Sequence, residues 1–309
     1  MKFLDDRSPS QRLLMVVVLM PIAVIVAGAV VWLATLVREI PAVESFILRY
    51  PGELELPEGT REGIPPWVGI THFVNMLFML LIIRTGWQIR TGAKPDSYWT
   101  RNNAGPLRTK YPPTKISLTL WTHLVLDVLW ITNGIVYIVL LLVSGHWARV
   151  IPTSWEVFPH SISVALQYAS FDWPSENGWI NYNSLQVLAY FVTIFVAAPL
   201  AIVTGVRMSP AWSPRFRALE RIYPVTLARV VHFPVMLYFV AFTVAHVTLV
   251  LATGALRNLN HMYASRDEVS WVGALIFAGS LMIMATCWLL LRPMLLRPVA
   301  LLGGQVTKR

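Results

Sequence analysis

Residues 230–254 read VVHFPVMLYFVAFTVAHVTLVLATG, and the reading of this stretch decides the fold. Apart from two histidines, none of its side chains carries a charge near neutral pH. As an α-helix it is about 37 Å long, enough to cross a hydrocarbon core roughly 30 Å thick. Its histidines, His232 and His246, stand 14 residues apart. At about 100° per residue that is four turns less about 40°, so both leave nearly one face, about 21 Å apart along the axis. One imidazole therefore lies towards each membrane surface.

Five more apolar runs of spanning length lie near 13–37, 67–89, 121–145, 185–207 and 270–291. Prolines stand between runs, as at Pro65-Pro66, Pro112-Pro113 and Pro293, and inside them at Pro21, Pro199 and Pro234. Membrane helices tolerate the second placement where neighbours satisfy the freed carbonyls. Of 309 residues 56% are hydrophobic and 13% charged, and the mean hydropathy is +0.58. A soluble surface needs about twice that charge, about 25% of residues. The first run is longer than a signal-peptide core, and Asp5 and Asp6 dilute its basic flank, so it reads as a retained helix. The expectation is one all-α domain over 1–309, a six-span transmembrane helix bundle.

The net charge of +9 would suggest nucleic acid if it were clustered on a soluble face. Instead, 19 of the 25 Lys and Arg lie at the two termini and in the segments after the second and fourth runs. The other three connections hold most of the acids, including Glu53, Glu55, Glu58 and Glu62. The positive-inside rule then puts both termini in the cytoplasm. No nucleic-acid partner is expected; lipid is.

Cys287 is the one cysteine, which excludes an internal disulfide, a Cys-x-x-Cys-His haem attachment and a multi-cysteine metal site within this chain. A redox centre must then use histidine. On the charge-derived topology His232 lies on the cytoplasmic side and His246 on the outer side. His72, early in the second run, matches His246 in depth, and His123, early in the third, matches His232. Four imidazoles at two matched depths suit two b-type haems, each between two histidines. The alternatives are a proton relay in a proton-coupled transporter or channel, histidines that only hydrogen-bond across helix interfaces, and a haem-free membrane anchor that only tethers a soluble partner.

The ordered set Thr71-His72-Phe-Val-Asn75, Arg84-Thr85-Gly86, His123, Tyr182-Asn183-Ser-Leu-Gln186, Val203-Thr204-Gly205, Arg229-Val-Val-His232 and His246 resembles the di-haem cytochrome b subunits of nickel–iron hydrogenases, respiratory formate dehydrogenases and thiosulfate reductases. The resemblance covers residues 67–255, four helices. It implies a four-helix di-haem core with the pairs His72–His246 and His123–His232. It also implies an electron-transfer subunit in a bacterial cytoplasmic membrane, moving electrons between the quinone pool and a peripheral redox subunit of molybdopterin, iron–sulfur or hydrogenase type. Quinone reduction or quinol oxidation would then occur at this subunit. Relatives commonly begin the core from the cytoplasm; here the extra first span makes it begin outside.

Other candidates have a plainer reading beside the functional one. Asn75 and Asn133 are candidates for bonding an imidazole or a propionate, or for joining helices. Gly134 and Gly205 would make room for a macrocycle. Arg84, Arg229 and Arg257 suit propionates or lipid headgroups. Asp127, one turn after His123, is a candidate proton acceptor or salt-bridge partner. His146, ending the third run, is a candidate axial ligand, quinol-site base or interfacial residue. His160 and His261 are expected in solvated loops, and Trp155, Trp173 and Trp179 in a loop at 147–184 that forms an interfacial belt or a docking face. No residue set suits covalent or hydrolytic chemistry.

Overall fold

A computed structural model of the chain describes residues 9–92, 94–104, 108–110, 112–173, 177–212 and 217–308, with backbone alone at 9–16 and 217–218. Lys2, Arg7, Arg215 and Arg309, which entered the charge argument, lie outside the described residues, as do Asp5 and Asp6. In chain order the helices are α1 (Pro9–Arg38), α2 (Pro41–Arg49), α3 (Pro66–Thr91), α4 (Leu118–Val143), α5 (Val157–Ala169), α6 (Ser184–Met208), α7 (Arg217–Ile222), α8 (Val225–Ala252), α9 (Ala255–Leu259, continued by a π turn at Asn260–Ala264), α10 (Val272–Leu290) and α11 (Pro293–Leu301). Among the described residues α1, α3, α4, α6, α8 and α10 are long and apolar enough to cross a membrane. The protein is a multi-pass, all-α membrane protein, as its apolar runs required.

The helix ends follow from local chemistry. α4 begins three residues before its apolar run because the Ser117 hydroxyl accepts from Leu120 N–H at 3.1 Å, capping the first turn. α8 begins five residues early, straight after Pro224, since its first turns are helical without being lipid-soluble. Pro199 lacks an N–H and its ring crowds the carbonyl four residues back. α6 absorbs this with a π turn over Val192–Ala197, in which Ala198 N–H reaches the Thr193 carbonyl.

The chain divides into two compact units, Met1–Thr60 with Ala148–Tyr190, and Arg61–Trp147 with Phe191–Arg309. In the larger unit α3 packs along α4, and the second part of α6 along α8. Trp130 of α4 meets Phe239 of α8 edge to face at 6.2 Å, and the Arg90 guanidinium of α3 lies 3.7 Å over the Phe233 ring. A small antiparallel sheet, ordered β2-β1-β3, joins the segment after α3 to the chain's last residues. Its strands are β1 (Ser97–Arg101), β2 (Ile116–Ser117) and β3 (Gly304–Lys308), with Trp99 opposite both Ile116 and Val306. It had no counterpart in the sequence reading, because strands this short show no periodicity to read.

The smaller unit corrects two expectations. The segment 147–184 is not all loop, since α5 runs through it. Nor is His160 solvated: it is buried, and its Nδ1 accepts from Gly52 N–H at 3.0 Å. Burial lowers the pKa of His160, opposed by the charge of Glu156. In the larger unit His261 is buried too, with Nε2 2.8 Å from the Asp267 carboxylate, which also accepts from Arg257 Nε at 2.9 Å. Those two hydrogen bonds hold Asp267 below the usual carboxylate range. His160 thus meets a backbone N–H far along the chain and His261 a nearby carboxylate, pairings that hydropathy does not register.

Candidate functional site

The site is built from two near-identical pieces. In the first, α3 supplies Thr85 and α4 supplies His123, with Thr85 Oγ 2.8 Å from His123 Nδ1. In the second, α6 supplies Thr204 and α8 supplies His232, again with Oγ 2.8 Å from Nδ1. Each threonine also bonds its own helix: Thr85 donates to Leu81 O at 2.9 Å and Thr204 to Leu200 O at 2.5 Å. A hydroxyl has one proton to give. With that proton on the i−4 carbonyl, the oxygen accepts from Nδ1–H. Both imidazoles are thereby set as the Nδ1–H tautomer, and Nε2 keeps its lone pair. This is the form that ligates a metal through Nε2 with its other nitrogen anchored.

A glycine follows each threonine. A Cβ on Gly86 would come within 3.2 Å of His123 Cε1, and one on Gly205 within 3.7 Å of His232 Cε1. Each ring thus lies against bare backbone. His123, His232, Gly86 and Gly205 share one cavity of about 1180 Å³, whose remaining wall is mostly apolar. Cofactor pockets commonly measure about 300–1,000 Å³, so a flat macrocycle fits with room over. Arg90, Arg101 and Arg229 also line it. So does Asp127, whose Oδ2 is 3.8 Å from His123 Nε2.

The second histidine pair comes from α3 and α8. The rings of His72 and His246 have centres 6.2 Å apart and planes inclined at 56°. Two imidazoles bound in trans to one metal ion, at about 2.0–2.1 Å per metal–nitrogen bond, hold their centres roughly 6.3 Å apart. The observed spacing fits a single ion between them. His72 Nδ1 is buried without a hydrogen-bond partner, and Tyr263 meets the ring edge-on at 6.4 Å. His246 stacks on Phe242 at 5.6 Å and 5°. No group of three or more His, Cys, Asp and Glu that could hold a metal occurs among the described residues.

The remaining candidates are placed as follows. Asn75 Oδ1 accepts from Trp130 Nε1 at 2.7 Å, and Asn133 Nδ2 donates to Thr71 O at 3.0 Å, so both tie α3 to α4. Nothing stands within 4 Å of a Cβ on Gly134. Arg84 is turned to the end of α10, donating to the carbonyls of Trp288 and Leu291, with its guanidinium 4.4 Å over the Trp288 ring. Arg229 does line the cavity, whereas Arg257 is held by Asp267. His146 is buried, with Nδ1 3.0 Å from Ser144 Oγ and its ring edge-on to Trp67 at 5.9 Å.

Thr85 and Thr204 were within the quoted motifs but carried no role in the sequence reading. A signal was there: Thr85-Gly86 and Thr204-Gly205 each lie in a span, and in both cases the next span has a histidine near its start. Tyr263, Arg90 and Arg101 had no such signal. Comparison with known proteins finds no matching family model, no similar curated protein and no matching solved structure.

Proposed function

We propose that this protein is a membrane electron-transfer subunit that holds two b haems, one between His72 and His246 and one between His123 and His232. The observation that carries the proposal is the doubled arrangement of threonine, glycine and histidine at one cavity, with both ligand lone pairs preset. A helix interface that only needed a satisfied histidine has no call for a glycine under the ring or for this much space. The 6.2 Å ring separation of the other pair supports the second site.

Bound haem supplies one-electron redox chemistry between its ferric and ferrous states. The chain supplies position and medium. Thr85 and Thr204 orient the imidazoles and, by accepting from Nδ1–H, make them better electron donors. Met79, Trp130 and Phe239 line the cavity with apolar surface, and Arg90, Arg101 and Arg229 offer positive charge to carboxylates at its wall. Asp127, beside His123, is placed to hold a proton there, and His146 is the corresponding candidate nearer the other pair.

In this reading electrons pass between the quinone pool and a peripheral redox subunit carrying a molybdopterin, iron–sulfur or hydrogenase-type centre. The membrane is a bacterial cytoplasmic membrane with both termini inside, which the distribution of Lys and Arg supports. The rival is a proton relay, favoured by the closeness of Asp127 to His123 inside the cavity. A reduced-minus-oxidised absorption spectrum of the purified protein separates the two. A b-type signal with close to two haems per chain is expected, and a colourless protein would overturn the proposal.

A further inference from the structure

The smaller unit contains a helix whose faces are reversed relative to a helix in water. α5 turns inward Val157, His160, Ser161, Ser163, Val164 and Gln167, of which four are polar. Their polar atoms have partners within the unit. Gly52 N–H donates to His160 Nδ1, Ser161 Oγ donates to Val157 O at 2.6 Å, and Gln167 Nε2 donates to Ser163 Oγ at 3.2 Å. Outward stand Phe158, 48% exposed, and Ile162, 63% exposed, with Ala165 one turn on. Trp155, 84% exposed, stacks on Phe158 with ring centres 5.7 Å apart. A helix bathed in water buries its apolar stripe and leaves the polar one outside. The opposite order is stable only where the outer medium is itself apolar.

The same unit shows what that medium is. α5 packs against α1, a membrane span, and against α2. The contact is at the end of α1: Ala34 is buried, and Arg38 Nη1 donates to Ser170 Oγ at 2.8 Å, just beyond the last turn of α5. At that level α1 exposes Trp32, Leu33 and Leu36, large apolar side chains of the kind a spanning helix turns to lipid. α5 therefore lies level with the last two turns of a span, where acyl chains give way to headgroups. It carries no Asp, Glu, Lys or Arg from Val157 to Ala169; the nearest charges, Glu156 and the Arg38–Asp172 pair, stand at its two ends, where headgroups would meet them. Tryptophan and phenylalanine are the side chains this boundary favours.

We propose that α5 is an interfacial membrane helix, lying at the headgroup boundary with Trp155, Phe158 and Ile162 in lipid. Its polar inner face is then the unit's extramembrane core, and the helix secures that unit to the bilayer beside α1.

The test uses spin labels at Phe158→Cys, Ile162→Cys and Ala165→Cys, with Glu58→Cys as an exposed loop reference, all in a Cys287→Ser background. The full chain is placed in bilayers of phosphatidylcholine and phosphatidylglycerol, without any partner protein. Collision rates with oxygen, which concentrates in acyl chains, are compared with those of a water-soluble nickel chelate. Oxygen should exceed the chelate several-fold at 158, 162 and 165, with the reverse at 58. Chelate in excess along the α5 face would put it in water, as a surface kept for a protein partner would be, and would overturn the proposal. Low rates with both reagents would put the face against protein and overturn it equally. Labels at three positions on one face guard against a single substitution that perturbs folding. The readout does not depend on haem content, so failure of the electron-transfer reading would leave it standing.

Discussion

At the scale of single residues, the protein spends two hydroxyls on two imidazoles. Replacing Thr85 or Thr204 by valine keeps the shape and removes the hydroxyl acceptor, leaving the imidazole N–H only the backbone carbonyl of Ile82 or Ala201. Losing one such hydrogen bond costs about 0.5–1.5 kcal/mol, so either variant should melt earlier than the native protein by differential scanning fluorimetry. If the haem reading holds, each should also raise the midpoint potential of one haem alone in a redox titration, because a less basic imidazole favours the ferric state less. Replacing His246 by leucine should remove one haem and leave the other, measured as the pyridine haemochrome per chain; loss of both, or of neither, would contradict the pairing. Gly86→Leu should empty the His123–His232 site by filling it, with the other site intact.

At the scale of elements, α5 holds its unit together through a buried neutral histidine. His160 accepts from Gly52 N–H, which it can do only while Nδ1 is unprotonated. Burial lowers its pKa below the usual value of 6.5. The unfolded chain therefore binds the proton more readily than the folded one, and stability rises with pH across the interval between the two pKa values. The contribution is complete above about pH 6.5 and is lost progressively below it. Thermal melting should show the native protein weakening as the pH falls from 7 to 5. A His160→Gln variant, whose side-chain carbonyl can accept the same N–H, should weaken less over that range. A loss of equal size in both would remove His160 from the account.

At the scale of the whole molecule, lipid is the solvent that makes the composition intelligible. The spans keep most of their surface outward, and large side chains such as Ile25, Val24 and Val143 are more than half exposed. In water this would be an aggregating surface; in a bilayer it is the required one. The proposed orientation can be checked directly. A fluorescent reporter that matures only in the cytoplasm should light up when fused at either terminus, and an alkaline phosphatase that folds only outside should stay inactive there. The opposite pattern would invert the molecule and exchange the depths assigned to the two histidine pairs.

The sequence alone determined the six crossings, because hydropathy over about 20 residues is a local property that lipid reads directly. It also determined which histidines share a depth, since helical rise and alternation of spans need no tertiary knowledge. Only the tertiary structure decided that Thr85 sits under His123 and Thr204 under His232, that Arg84 turns to the end of α10, and that His160 and His261 are buried. Likewise it alone paired β1 with β3 and turned the polar face of α5 inward. Apart from the His261–Asp267 pair, each of these is a contact between residues distant in the chain, and periodicity along one segment carries no information about which other segment will meet it.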